Sequence, residues 1–218
     1  MVDLKNVSRQ YQKNKNVVNA LGGISLQVAR GEFVVVRGPS GSGKTTLLLA
    51  IGAMLTPTEG TVAIEGRDIY ALSQRERARL RAEQIGFVFQ MFHLLPYLNC
   101  IENVLLPIAA SKRKNIRDQA ESLLQRLGLH DRIRHRPEEL SAGERQRTAI
   151  ARALFYQPKL ILADEPTGNL DPENADQVFQ ILADFKNGGG TVIMVTHGAE
   201  ADPYADRILQ LDSGRLIS

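Results

Sequence analysis

Along this 218-residue chain, short apolar runs alternate with longer stretches in which apolar residues return every three or four positions. Phe33-Val34-Val35-Val36, Ile85–Phe89, Leu160–Ala163 and Thr191–Val195 are runs of the first kind. Their unbroken apolarity predicts strands buried on both faces, as in a parallel sheet covered by helices. Leu47, Leu48, Ile51, Met54 and Leu55 are spaced as one helical face, which predicts a helix packed on that sheet. Ile24–Val28 and Thr61–Ile64 are flanked by turn residues rather than by helices, and they predict an antiparallel edge sheet. Between about Met91 and Tyr156 the pattern turns helical: Ile116, Ala120, Leu123, Leu124 and Leu127 share a face, and Gly128 is placed as a C-cap. The expected architecture is therefore α/β. Residues 1–90 and 157–218 form a core with a mainly parallel sheet and an antiparallel β edge, and 91–156 form an inserted helical subdomain. No repeat or low-complexity tract interrupts it.

Composition adds bounds rather than chemistry. With 43% hydrophobic residues the chain can bury one large core. Its net charge of +3 is mild, and a nucleic-acid binder gathers its basic residues on one stripe. Arg75, Arg77, Arg79 and Arg81 are spaced by two and would wrap around a helix as a solvated face; Lys112-Arg113-Lys114 reads the same way. No nucleic-acid partner is expected. Cys100 stands alone, so no internal disulfide can form, and a partly buried thiol in a reducing compartment is the expectation. Met1–Asn6 has no apolar leader core, and no apolar run approaches the ~18 residues of a membrane span. A soluble, cytosolic chain that meets a membrane only through a partner is expected.

Three stretches carry chemistry. Gly38-Pro39-Ser40-Gly41-Ser42-Gly43-Lys44-Thr45, continuing into Thr46, matches G-x-x-x-x-G-K-S/T in full, between a strand and an amphipathic helix. Glycines there let backbone N–H groups turn inward onto phosphate oxygens, Lys44 reaches the β- and γ-phosphates, and the Thr45 hydroxyl binds Mg²⁺. That makes the core a P-loop NTPase of the RecA-like kind. Second, Leu160-Ile161-Leu162-Ala163 ends in Asp164-Glu165. An acidic turn often stops a strand. Beside a phosphate loop, however, the carboxyl end of a parallel strand is where a ligand lies, so Asp164 is the candidate Mg²⁺ ligand and Glu165 the group that polarises the attacking water. Third, Ser141 followed by Glu144 is a capping box ahead of Ala149, Ile150, Ala153 and Leu154. By itself that is a well-capped helix, yet its N-terminus, with the small Gly143, is also an anion site.

The longer run Leu140–Leu154, LSAGERQRTAIARAL, resembles the LSGGQ signature of ABC ATPases, and the order of elements resembles an ABC-transporter nucleotide-binding domain over essentially the whole chain. That resemblance assigns further residues. Tyr11 stands where such proteins stack an aromatic on adenine, though an ordinary surface tyrosine fits the position too. Gln90 resembles the Q-loop glutamine that touches Mg²⁺ and senses the membrane partner; Gly168-Asn169-Leu170-Asp171 resembles the D-loop. His197, a residue type that is commonly structural at a strand end, resembles the switch histidine on the γ-phosphate. Ala142 replaces the first glycine of the usual pair, and Gly198 stands where an aspartate is common; neither removes a catalytic group.

Phe92-His93-Leu94-Leu95-Pro96, Glu102-Asn103-Val104, His135-Arg136-Pro137 and Leu162–Asp171 are most similar to the ATP-binding subunits of lipoprotein-releasing (LolD-like) transporters, a vocabulary shared with macrolide-export and cell-division ABC ATPases. The resemblance implies an ATPase that closes as a head-to-tail dimer of two copies and drives integral-membrane permease subunits from the cytoplasmic face of the plasma membrane. Each ATP would lie between Lys44, Thr45, Gln90, Asp164, Glu165 and His197 of one copy and Ser141 and Gly143 of the other. Phe92, Leu94 and Leu95 would line a groove for a membrane subunit, or else belong to ordinary subdomain core. A regulator that relays force through a membrane partner to cell-wall hydrolases uses the same parts. A DNA-acting ATPase would need a long coiled-coil insertion, and the stretch between Gln90 and Ser141 is too short for one.

Overall fold

Alternation of apolar side chains to both faces builds the central sheet. In the computed structural model, which describes residues 1–13, 16–106 and 115–217, the strands are β1 (Val2–Lys13), β2 (Asn16–Val28), β3 (Phe33–Arg37), β4 (Glu59–Ile64), β5 (Arg67–Asp68), β6 (Ile85–Phe89), β7 (Leu160–Asp164), β8 (Thr191–Thr196), β9 (Arg207–Asp212) and β10 (Arg215–Leu216). Lys112-Arg113-Lys114 lie outside the described residues. Six strands form one sheet in the order β10-β9-β3-β8-β7-β6, parallel except for the β9–β10 pair. Along β3, Val34 and Val36 enter one core while Phe33 and Val35 enter another; β7 divides Leu160 and Leu162 from Ile161 and Ala163 in the same way. Period-two alternation thus lets each continuous apolar run serve two layers at once.

The helices are α1 (Lys44–Ile51), α2 (Gln74–Gln84), α3 (Cys100–Leu105), α4 (Ile116–Arg126), α5 (Ala142–Leu154) and α6 (Pro172–Asn187). The helix α1 and the antiparallel sheet close the first core; α6 and Ile150 and Ala153 of α5 close the second. A third cluster joins Ile101 and Val104 of α3, Ala120 and Leu124 of α4, and Ala151 of α5. Gly128, at φ 70, follows the C-cap of α4, and its N–H bonds to Gln125 O at 3.0 Å. No helix among the described residues is long and apolar enough to cross a membrane.

Three details differ from the sequence pattern. The antiparallel sheet runs β2-β1-β4-β5, so Ile24–Val28 and Thr61–Ile64 do not pair with each other; β1 lies between them. Register shifts after Leu4, Val7 and Arg9 break the alternation of β1, which hides it from a period-two reading. The helix α1 stops at Ile51, leaving Met54 and Leu55 outside: a Cβ on Gly52 would meet the Phe87 ring at 2.2 Å, and Ala53 turns to φ 58. The arginines of α2 are only partly a solvated face. Arg79 pairs with Glu83, but Arg81 donates to Ala53 O at 2.9 Å and Arg77 lies over the Tyr70 ring, tying the helix to the α1–β4 connection.

Candidate functional site

Register puts the chemical residues in one row. Phe89 pairs with Asp164 and Asp164 with Val195, so Gln90 and Glu165 leave the sheet one residue later, beside Thr196 at the end of β8, at its carboxyl edge. Arg37 pairs with Thr196, which brings the loop beginning at Gly38 to the same edge.

The loop is held open by glycines that no other residue could replace. A Cβ on Gly38 would lie 2.0 Å from Leu211 O; one on Gly43, at φ 106, would lie 2.3 Å from Ala20 O. Gly43 also forms the N-terminus of α1, with no side-chain cap and no acidic residue in the first turn. The positive end of the helix therefore faces the loop with no acidic residue in its own first turn to neutralise it. Lys44 is buried, and its ammonium donates to Gly38 O at 2.7 Å and Pro39 O at 3.0 Å. The Ser42 hydroxyl oxygen, equally buried, has no hydrogen-bond partner among the described residues. An orphaned buried hydroxyl inside a loop of inward amides fits an oxygen-rich phosphate ligand. Pro39, Ser40 and Thr45 are exposed, and Thr46 is half-buried behind Thr45.

At the end of β7, Asp164 accepts a hydrogen bond from Thr45 Oγ1 at 3.2 Å. Burial, with the neighbouring Glu165 charge, pushes the Asp164 carboxyl up; Thr45 and Lys44 act against that shift. A carboxylate and a hydroxyl are the hard oxygen donors that Mg²⁺ takes alongside phosphate oxygens. No group of three or more His, Cys, Asp or Glu suited to a metal occurs among the described residues, and a Mg²⁺ ion shared with phosphates needs none. Glu165 turns out of the strand at φ 45, a left-handed conformation that costs a side-chain-bearing residue about 1–2 kcal/mol. Its N–H donates to Val195 O at 2.9 Å, and its carbonyl accepts from Gly168 N at 3.2 Å. The turn aims the carboxylate at Lys44 Nζ, 3.6 Å away, and onto His197 Nδ1. A cavity of about 350 Å³ opens beside Glu165, Gly168 and His197. Gly198 is confined here: a Cβ would lie 1.9 Å from a Glu200 carboxylate oxygen.

Ser141, Gly143 and Asp171 form a second group. Ser141 Oγ accepts from Glu144 N at 3.2 Å, and Glu144 accepts from Ser141 N at 2.8 Å. Arg132 donates to Glu144 at 2.7 Å and, with the Ser141 N–H, holds that carboxyl down at about 2. Ala142 keeps a negative φ as the first residue of α5, so its methyl is accommodated. Gly143 is not replaceable in that way: a Cβ would lie 2.0 Å from Asn174 Oδ1. Asn174 accepts from Arg147 at 2.9 Å and donates to Asp171 Oδ2 at 2.7 Å, while Asp171 caps α6. Gln90 packs against Gly168, and its carbonyl accepts from Asn169 Nδ2 at 3.0 Å. Tyr11, 38% exposed on β1, carries the Arg9 guanidinium over its ring at 4.7 Å. Phe92, Leu94 and Leu95 are half-buried and belong to none of the three core clusters.

Sequence reasoning gave no role of their own to Gln146, Asn174 and Arg152, although Asn174-Ala175-Asp176 belongs to the same family resemblance and the other two lie in the run Leu140–Leu154. Arg152 Nη2 donates to Phe92 O at 2.8 Å, and its Nη1 to His93 O, across a turn in which both residues have positive φ. The available signal was a polar side chain on the apolar face of α5: Gln146 is fully buried.

The fold and the phosphate-shaped loop at its sheet edge define a P-loop NTPase. Comparison with known proteins narrows that class. The family model described as ABC transporter matches residues 21–168. The uncharacterized ABC transporter ATP-binding protein MJ1508 of Methanocaldococcus jannaschii is 45% identical over 219 residues, covering all of this chain and 98% of that protein. The macrolide export ATP-binding/permease protein MacB of Bdellovibrio bacteriovorus is 45% identical over 218 residues; this chain spans 34% of its length. The solved structure of the ATP-binding cassette MJ0796, dimeric and bound to ADP and Pi, superposes with a TM-score of 0.93 at 39% identity, covering 100% of this chain and 97% of that one. The chain belongs to the ABC transporter family, as one of its ATP-binding cassettes: an ATPase that takes ATP with Mg²⁺.

Proposed function

We propose that this cassette is the ATP-hydrolysing subunit of a transporter whose output is lipoprotein release or export, working as an ATP-closed homodimer under integral-membrane permease subunits at the cytoplasmic face of the inner membrane. The observation that carries the ATPase part is the convergence of Lys44, Thr45, Asp164, Glu165 and His197 at one sheet edge, with hydrogen bonds and ion pairs joining them. Glu165 is the group that orients and deprotonates the attacking water, His197 holds the γ-phosphate side, and Lys44 leaves the Gly38 and Pro39 carbonyls to neutralise phosphate charge. Thr45 and Asp164, with Gln90, would hold Mg²⁺, which would supply charge neutralisation to the phosphates. Ser141 and Gly143 of the second copy complete the site, while Tyr11 flanks the base. The segment 91–156 is the part that meets the membrane subunit, through the half-buried Phe92, Leu94 and Leu95.

The dimeric state of MJ0796 and the fused permease in the name of MacB support the partners. Lipoprotein cargo rests on sequence resemblance alone. The test is extraction of the intact complex from membranes after trapping with Glu165→Gln, followed by mass spectrometry. An integral-membrane permease with co-extracted lipoprotein is expected. A complex lacking lipoprotein, or one that carries another cargo, overturns the cargo assignment while leaving the ATPase intact.

A further inference from the structure

The signature helix has a second engagement, within its own subunit. Gln146 of α5 is completely buried, an unusual place for a carboxamide, and its Nε2 donates to Pro166 O at 2.5 Å. Pro166 directly follows Glu165. Having no N–H, it can be held through its backbone only by that carbonyl.

Three tethers therefore fix the peptide carrying Glu165, each from a different element. The Glu165 N–H is bound by Val195 O of β8, its carbonyl by Gly168 N, and the next carbonyl by Gln146 of α5. A left-handed φ at a glutamate persists only where the surroundings over-determine it. Two of the tethers are backbone and are kept by any sequence of this fold. Gln146 is the one supplied by a side chain.

We propose that Gln146 is a positioning residue for Glu165: by holding Pro166 it keeps the glutamate carboxylate aimed between Lys44 and His197, so that the signature helix serves its own subunit's hydrolysis as well as the site across the dimer. The inference rests on the reading of Glu165 as the group that activates water. Gln146 is fully buried and acts through Pro166, so removing it should slow chemistry without weakening ATP binding.

The test measures steady-state ATP hydrolysis by the full chain carrying Gln146→Met, which fills similar volume and cannot donate. The expected result is a fall in kcat of about tenfold or more, since small misplacements of a reacting group reach a hundredfold. KM for ATP and ATP-dependent dimerisation should stay as in the unsubstituted chain. In a Glu165→Gln background the same change should lower residual turnover no further, because the group it positions is already gone. An unchanged kcat, a rise in KM with kcat intact, or a full tenfold loss persisting in the Glu165→Gln background would overturn the proposal. Should Gln146→Met fail to fold, Gln146→Asn keeps the carboxamide but falls a methylene short; loss of kcat is again expected, and full activity overturns the idea. Wild-type turnover by Glu165→Gln alone is read in a separate arm and sinks the underlying assignment of Glu165 instead.

Discussion

Two helix starts in this molecule look alike on paper and are built in opposite ways. The start of α1 has glycine at its N-cap, no side-chain cap and no acidic residue in its first turn. The start of α5 has a complete capping box, with Ser141 and Glu144 each satisfying the other's backbone N–H, and Arg132 locking the glutamate. The first is left open by its own sequence, with its lysine folded back onto loop carbonyls. The second is finished without any ligand. On the proposed function, a site committed to phosphate in every state can be left uncapped, whereas one completed only when two subunits meet has to hold its helix together meanwhile. The finished cap still leaves a donor over: the Ser141 hydroxyl accepts from the Glu144 N–H, which leaves its own proton to donate.

The sharpest way to break the comparison is to add a methyl at the open start. Gly43→Ala forces a left-handed φ on alanine and drives its Cβ to 2.3 Å from Ala20 O. Strain and overlap together should cost about 3 kcal/mol or more in urea unfolding, and titration with ATP should show binding lost. Full affinity in that variant would mean the loop is not the phosphate cradle. At the finished start the expected effect is different in kind. Ser141→Arg should abolish ATP-dependent dimerisation in size-exclusion chromatography while ATP binding by the monomer survives. Unchanged dimerisation would remove Ser141 from any role across the dimer.

How much of this was legible in the sequence follows from how local each feature is. The strands Phe33–Arg37, Ile85–Phe89, Leu160–Asp164 and Thr191–Thr196 announce themselves because a continuous apolar run needs no partner to be recognised. The phosphate loop is contiguous and equally plain. β1 was not legible, because its bulges destroy the alternation that marks a strand. The helix α1 read too long because its apolar spacing continues past the turn at Gly52 and Ala53, and the Phe87 ring that leaves room only for glycine at position 52 is remote in sequence. At the site, the glutamate and histidine were singled out by their place in a motif series, while Gln146 and Asn174 were given no role. Their significance lies in contacts with Pro166 and Gly143 across the fold, and no spacing along the chain encodes those.

Gly143→Ala probes the same helix one step further in. The new Cβ would sit 2.0 Å from Asn174 Oδ1, so the Asn174 side chain must swing away from Arg147 and Asp171. A destabilisation of about 1–3 kcal/mol is expected, as for overpacking elsewhere. Since the obstacle is a side-chain tip, Asn174→Ala in the same chain should recover much of it, and a strongly non-additive double-mutant cycle is the signature. Additive losses would place the constraint on Gly143 somewhere other than Asn174. The contrast with Ala142, whose methyl meets no such obstacle, explains why one glycine of the usual pair can be replaced here and the other is kept.

The smallest effect separates charge from cap at the finished start. Glu144→Gln keeps a side chain that can still serve the capping box, so α5 should begin where it does now. What it removes is the ion pair with Arg132, which, together with the Ser141 N–H, holds the Glu144 carboxyl at about 2 against 4.5 unperturbed. A carboxylate depressed on folding stabilises the fold above its unfolded pKa, and that contribution fades as pH falls toward the folded value. Arg132 is 42% exposed, so solvent screening limits the gain to the order of 1 kcal/mol. Urea unfolding at a series of pH values should show Glu144→Gln less stable by about that much at pH 7, with the gap closing between roughly pH 5 and pH 2. A gap constant with pH would mean the substitution had damaged the cap itself, and the finished helix start would then owe nothing to Arg132.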